Sequence, residues 1–178
     1  MLDTGGEVRL DQALGVAYRY LNRRERTDAE VRAHLQSKGV EAPMIERAME
    51  ALLEQGLVDD SRYAQLFAQD KRELEDWGSE RIRRTLRARG VERELIDAAL
   101  QADAGESELE RALAVLRRRF PCPVKGGRER ERALGVLLRK GYDSELALEA
   151  LARHGDSDPA DPDAYNADPG DPSPDHDW

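Results

Sequence analysis

The chain has 178 residues, of which 37% are charged and only 5% aromatic. Ala, Leu, Glu and Arg dominate residues 10–154 while Val, Ile and Thr are sparse, a composition that suits helix and excludes a large β-sheet. No run approaches the roughly 18 apolar residues needed to cross a bilayer, and the opening MLDTGGEVRLDQ lacks the basic-then-apolar order of a signal peptide, so a soluble cytoplasmic protein is expected.

Taken in chain order, residues 1–9 carry no periodic pattern and are expected to be flexible. Ala13, Val16, Ala17, Tyr20 and Leu21 then line one face of a first helix. Thr27 and Glu30 have the spacing of a capping box for a second helix, with Val31 and Leu35 on its apolar face and Lys38-Gly39 at its end. Glu41 and Pro43 suit the start of a third helix, Pro43 at its first position, with Met44, Ile45, Ala48 and Met49 inward and Gly56 closing it. Asp59-Asp60 could be a carboxylate pair, but a helix opening at Ser61-Arg62-Tyr63 makes a cap the simpler role.

The same succession then repeats. Tyr63, Phe67 and Leu74 lead to Trp77, whose expected place is buried at a helix junction. Ile82 and Leu86 precede Arg89-Gly90, and Leu95, Ile96, Ala99 and Leu100 follow. In the last third, Leu109, Ala112, Leu113, Leu116 and Phe120 form a run, Phe120 to Gly127 reads as a loop, and Ala133 and Leu137 precede Lys140-Gly141. Leu146, Ala147, Ala150 and Leu151 complete that unit. The three basic-Gly pairs stand 51 residues apart, with a Leu four residues ahead of each Gly.

The fold class predicted is all-α: three tandem three-helix repeats at 10–56, 59–103 and 106–154, stacked into an elongated array able to curve. Units of this size hold little interior, so neighbours are expected to share apolar surface. Residues 155–178 form an Asp/Pro-rich tail expected to be disordered. Eight Asp between 156 and 178 account for −8 of the net charge of −9, so residues 1–155 are nearly balanced. We expect that tail to weaken nonspecific DNA binding by competing for the body's cations.

No catalytic, cofactor or metal constellation is predicted. His34, His154 and His176 lie in different settings, His34 on a helix surface and His176 in the tail. Cys122 is the single cysteine, a filler or a surface thiol. Gly126-Gly127 lacks the surroundings of a phosphate loop. Basic residues are the stronger signal: Arg19, Arg23, Arg24, Arg26, Arg32 and Lys38 in the first unit, Arg81, Arg83, Arg84, Arg87 and Arg89 in the second, and Arg117, Arg118, Arg119 and Lys125 in the third. Such clusters suit phosphates or protein carboxylates, or are solvated faces paired to nearby Glu, and aromatic interleaving that would stack bases is not evident. The candidate contacts are Arg23, Arg24, Arg32, Lys38, Arg81, Arg83, Arg84, Arg87, Arg89, Arg117 and Arg118.

Three stretches carry a resemblance: Ala13 to Leu21 followed by Arg26-Thr27-x-Ala29-Glu30-x-Arg32-x-x-Leu35-x-x-Lys38-Gly39; Gly56-Leu57-Val58-Asp59-Asp60-x-Arg62-Tyr63-Ala64-x-x-Phe67; and Gly78-x-x-Arg81-Ile82-x-x-x-Leu86-x-x-Arg89-Gly90-Val91. In these, over about residues 10–154, the chain resembles the RecX family of recombinase regulators. The resemblance implies a monomeric, non-enzymatic regulator without cofactor, acting in recombination, DNA repair and the SOS response. Its implied partners are the RecA recombinase filament and the single-stranded DNA within it, with inhibition of ATP hydrolysis, strand exchange and co-protease activity. The alternatives are a direct DNA-binding protein or a helical adaptor between proteins.

Overall fold

A computed structural model describes residues 4–102 and 107–156; the expected tail lies outside the described residues from 157 onward. The elements are α1 (Thr4–Leu21), α2 (Asp28–Ser37), α3 (Ala42–Glu54), α4 (Asp60–Glu75), α5 (Ser79–Ala88), α6 (Arg93–Gln101), α7 (Glu108–Arg119), α8 (Gly127–Lys140) and α9 (Ser144–Asp156). Among the described residues there is no strand, and no helix is long and apolar enough to cross a membrane.

Local chemistry explains the boundaries. Thr27 and Glu30 form the expected capping box on α2, and Ser107 and Glu110 form one on α7. Asp59 caps α4 by accepting from the Arg62 N–H at 2.9 Å. Four differences from expectation are small. Helix α1 begins at Thr4, inside the segment 1–9 expected to be flexible; Pro43 is the second residue of α3; Gly127 belongs to α8; and α9 runs on to Asp156, into the segment read as tail.

Each consecutive triplet of helices closes over its own apolar cluster. Val31, Leu35, Ala48, Met49 and Leu52 anchor the first, Ala64, Ile82, Leu86 and Ile96 the second, and Leu116, Leu137, Ala147 and Leu151 the third, all essentially inaccessible. The buried core is therefore three separate clusters, where shared apolar surface between units was expected.

What joins the units is polar, and it repeats with the sequence. The Thr27 hydroxyl at the start of α2 donates to the Arg89 carbonyl at the end of α5, at 2.7 Å. Fifty-one residues on, the Gly78 N–H at the start of α5 donates to the Lys140 carbonyl at the end of α8, at 2.9 Å, and the Glu80 N–H donates to Gly141 at 3.0 Å. Helix ends leave backbone groups without intrahelical partners, and here the start of one helix meets the carbonyls at the end of another.

The repeated glycines fit this joint twice over. Gly90 and Gly141 have φ of 82° and 90°, left-handed values that disfavour side chains. A Cβ on Gly90 would also lie 2.3 Å from the Ala29 Cβ, and one on Gly141 2.2 Å from the Arg81 Cβ. Gly39, with φ of 77°, faces open space.

Side chains complete the two joints. Asp60, read as part of a cap, instead accepts from the Asp28 N–H across the first joint at 2.8 Å. At the second, Asp76 holds a left-handed turn (φ 52°) and takes both Arg118, at 2.6 Å, and Lys140, at 3.1 Å. Burial raises the Asp76 carboxyl, but hydrogen bonds from Lys140 and Arg118 outweigh it and leave it below its ordinary value. Glu108 binds the Ser79 N–H and hydroxyl at 2.7 and 2.8 Å. Tyr142 packs here with its phenol pushed up to about 12 by burial, reinforced by Asp76.

Candidate partner-binding surface

The structure divides the eleven candidate cations into two groups. Five are engaged within the chain. Arg32 pairs with Asp28 at 2.6 Å and Glu46 at 2.7 Å, and the Glu46 hydrogen bond, against the cost of burial, raises its guanidinium further. Arg81 lies over the Trp77 ring at 3.9 Å and reaches the Arg139 carbonyl at 3.3 Å. Arg83 pairs with Glu80 and with Asp97. Arg89 donates to the Tyr63 hydroxyl and covers the Phe67 ring at 5.1 Å, and Arg118 is part of the Asp76 clasp.

The other six, Arg23, Arg24, Lys38, Arg84, Arg87 and Arg117, are exposed and have no ion-pair partner among the described residues. On α5, Ile82 and Leu86 point into the core, so helical spacing carries Arg84 to the opposite side, with Arg87 one turn on. A run of five arginines thus resolves into two presented to solvent and three fastened to the protein. Exposed, unpaired guanidinium groups are suited to forked hydrogen bonds with phosphate or carboxylate oxygens.

Two groupings were not legible from the spacing. Tyr20 stacks on His34 with ring centroids 3.9 Å apart and planes within 8°, and the Arg26 guanidinium lies 4.2 Å from the same Tyr20 centroid. Two groups that close to one centroid cannot share a face, so Tyr20 is sandwiched. The fold thus joins side chains fourteen residues apart in a contact the linear sequence does not show, with both faces of Tyr20 covered. In unit 2, Trp77 is half-buried, edge-on to Phe67 at 6.2 Å, with Arg81 and Lys71 on its ring. The junction is the one expected of it, but the ring is half-buried where full burial was expected.

His154, by contrast, is buried, with Nε2 2.9 Å from the Phe120 carbonyl, a packing contact between α7 and α9. Cys122 is an exposed free thiol. Among the described residues, no group of three or more His, Cys, Asp or Glu could hold a metal ion.

Comparison with known proteins agrees with this architecture. Residues 13–52 match the first three-helix domain of RecX, and residues 59–100 the second. The chain is 37% identical over 134 residues to the regulatory protein RecX of Trichlorobacter lovleyi, covering 73% of this chain and 87% of that protein. It is 35% identical over 147 residues to that of Halorhodospira halophila, covering 82% and 90%. The RecX of Halalkalibacterium halodurans matches at 32% identity over 82% of this chain but only 56% of its own, so this chain spans little more than half of that relative. The fold is also similar to a crystal structure of RecX from Lactobacillus salivarius, with a TM-score of 0.73 at 20% identity, covering 83% of this chain and 97% of that one. With two matched domains in tandem and named relatives above 30% identity over most of their length, the chain belongs to the RecX family of regulatory proteins.

Proposed function

We propose that this protein is a non-enzymatic cytoplasmic regulator that binds the RecA recombinase and its filament on single-stranded DNA. In this reading it acts as a monomer and restrains the filament's ATP hydrolysis, strand exchange and co-protease activity. Family membership supports the partner. The observation that carries the reading is the set of exposed cations without internal partners, placed on successive units of one chain. A filament offers the same chemical group again and again along its length, and an array of similar units can meet it at several points.

Near-zero net charge over residues 1–155 disfavours a protein that lives on naked DNA, since nonspecific DNA affinity comes mainly from neutralised phosphates. The test is a titration into a reaction of RecA, ATP and single-stranded DNA while ATP hydrolysis and filament length are followed. Hydrolysis is expected to fall at sub-stoichiometric to equimolar ratios. Unchanged hydrolysis and length at an equimolar ratio would remove the proposal.

A further inference from the structure

The first unit holds a cluster of cations that its own acids leave unanswered. Arg23, Arg24 and Arg26 lie in the connection between α1 and α2, and Lys38 caps the end of α2. The acids nearby in sequence are committed elsewhere: Glu25 to Arg62 at 3.3 Å, Asp28 to Arg32, Glu30 to the Thr27 N–H, and Glu41 to Arg9 at 3.5 Å. In the middle of the cluster, His34 is half-exposed and stacked on Tyr20, with Arg26 on the far side of that ring. Burial lowers the His34 pKa, and every charge that adds to the effect, on Lys38, Arg26 and Arg23, is positive.

Among the described residues the tyrosine–histidine stack belongs to this unit. At the positions 51 and 102 residues on, Tyr20 is replaced by Lys71 and Cys122, and His34 by Thr85 and Val136. Unit 2 places cations on Phe67 and Trp77 instead, so packing of the three-helix unit does not require a tyrosine–histidine stack. Cations offered from two pieces of backbone around a neutral aromatic stack match a chain of regularly spaced permanent anions whose bases present flat faces. A single carboxylate would answer only one of them.

We propose that unit 1 carries a site for the sugar-phosphate backbone of single-stranded nucleic acid, formed by Arg23, Arg26 and Lys38 around the Tyr20–His34 stack. This rests on the reading of the protein as a partner of a DNA-bound filament, and assigns the DNA contact to one end of the array. A phosphate settling among these cations stabilises the imidazolium, so binding draws a proton onto His34.

The probe is a twelve-residue oligothymidylate added to the full chain, read by fluorescence anisotropy and by NMR of the histidine rings. In the free protein burial, with Lys38, Arg26 and Arg23 nearby, holds the His34 midpoint below the ordinary imidazole range, and saturating oligonucleotide is expected to raise it. Arg23→Ala with Lys38→Ala, both exposed and remote from the core, should weaken binding about tenfold at low salt. Together they should also lower the slope of log affinity against log salt by roughly 1.4, from about 0.7 per single-strand phosphate contact. No binding by the wild type, equal affinity of wild type and double variant, or an unmoved His34 midpoint at saturation would each overturn the site. If the wild type inhibits RecA while the site fails these tests, the filament reading stands alone. If the site passes and RecA is unaffected, the site stands and the filament reading falls.

Discussion

At the residue scale, the three basic-Gly pairs look equivalent in sequence, yet the structure gives them unequal loads. Gly39→Ala meets open space and bears only the left-handed backbone penalty, about 1 kcal/mol. Gly90→Ala and Gly141→Ala add a collision with a neighbouring unit and should cost about 3 kcal/mol or more, read as denaturant midpoints at constant slope. Asp76→Asn keeps a residue that accepts a left-handed turn but removes the charge held by Arg118 and Lys140, and should cost about 1 kcal/mol at pH 7. Because the Asp76 pKa is depressed in the fold, its contribution is present above about 4 and is lost as pH falls through the folded value. Wild type and variant should therefore converge in stability on acidification.

Helix α5 shows what a charge run does and does not reveal at the scale of the element. Ile82 and Leu86 were readable as its buried stripe because helical periodicity leaves them no other face. The fate of its arginines was only partly readable: Glu80 and Trp77 are near neighbours in sequence, but Asp97, Tyr63 and the Arg139 carbonyl, which also hold Arg83, Arg89 and Arg81, come from other segments. The same applies to α1 and α2, whose glycine, cap and apolar pattern follow from local rules while the Tyr20–His34 contact depends on how the helices cross. Replacing Arg84 and Arg87 together with Ala should leave helicity and thermal midpoint within about 0.5 kcal/mol of the wild type and weaken RecA-filament binding. Arg83→Ala should do the reverse, lowering stability slightly with little change in binding. Circular dichroism and filament co-sedimentation separate the two outcomes.

Over the whole molecule, the threefold order was legible because the 51-residue period is written in glycines, which a helix end requires at a fixed place. The nature of the contact between units was not, since nothing local to Thr27 or Gly78 announces that its partner is a carbonyl 62 residues away. Charge adds a prediction at this scale. Removing residues 157–178 deletes seven Asp and leaves α9 intact, so DNA affinity should rise at low salt and converge with the full chain at high salt. The separate cores have a consequence for reach. Each apolar cluster closes within its own unit, and between units lie hydrogen bonds, ion pairs and the close approaches of Gly90 to Ala29 and Gly141 to Arg81, so flexing at the two joints would leave the interiors closed. A chain built this way is expected to adjust its curvature to a partner's surface without exposing apolar side chains.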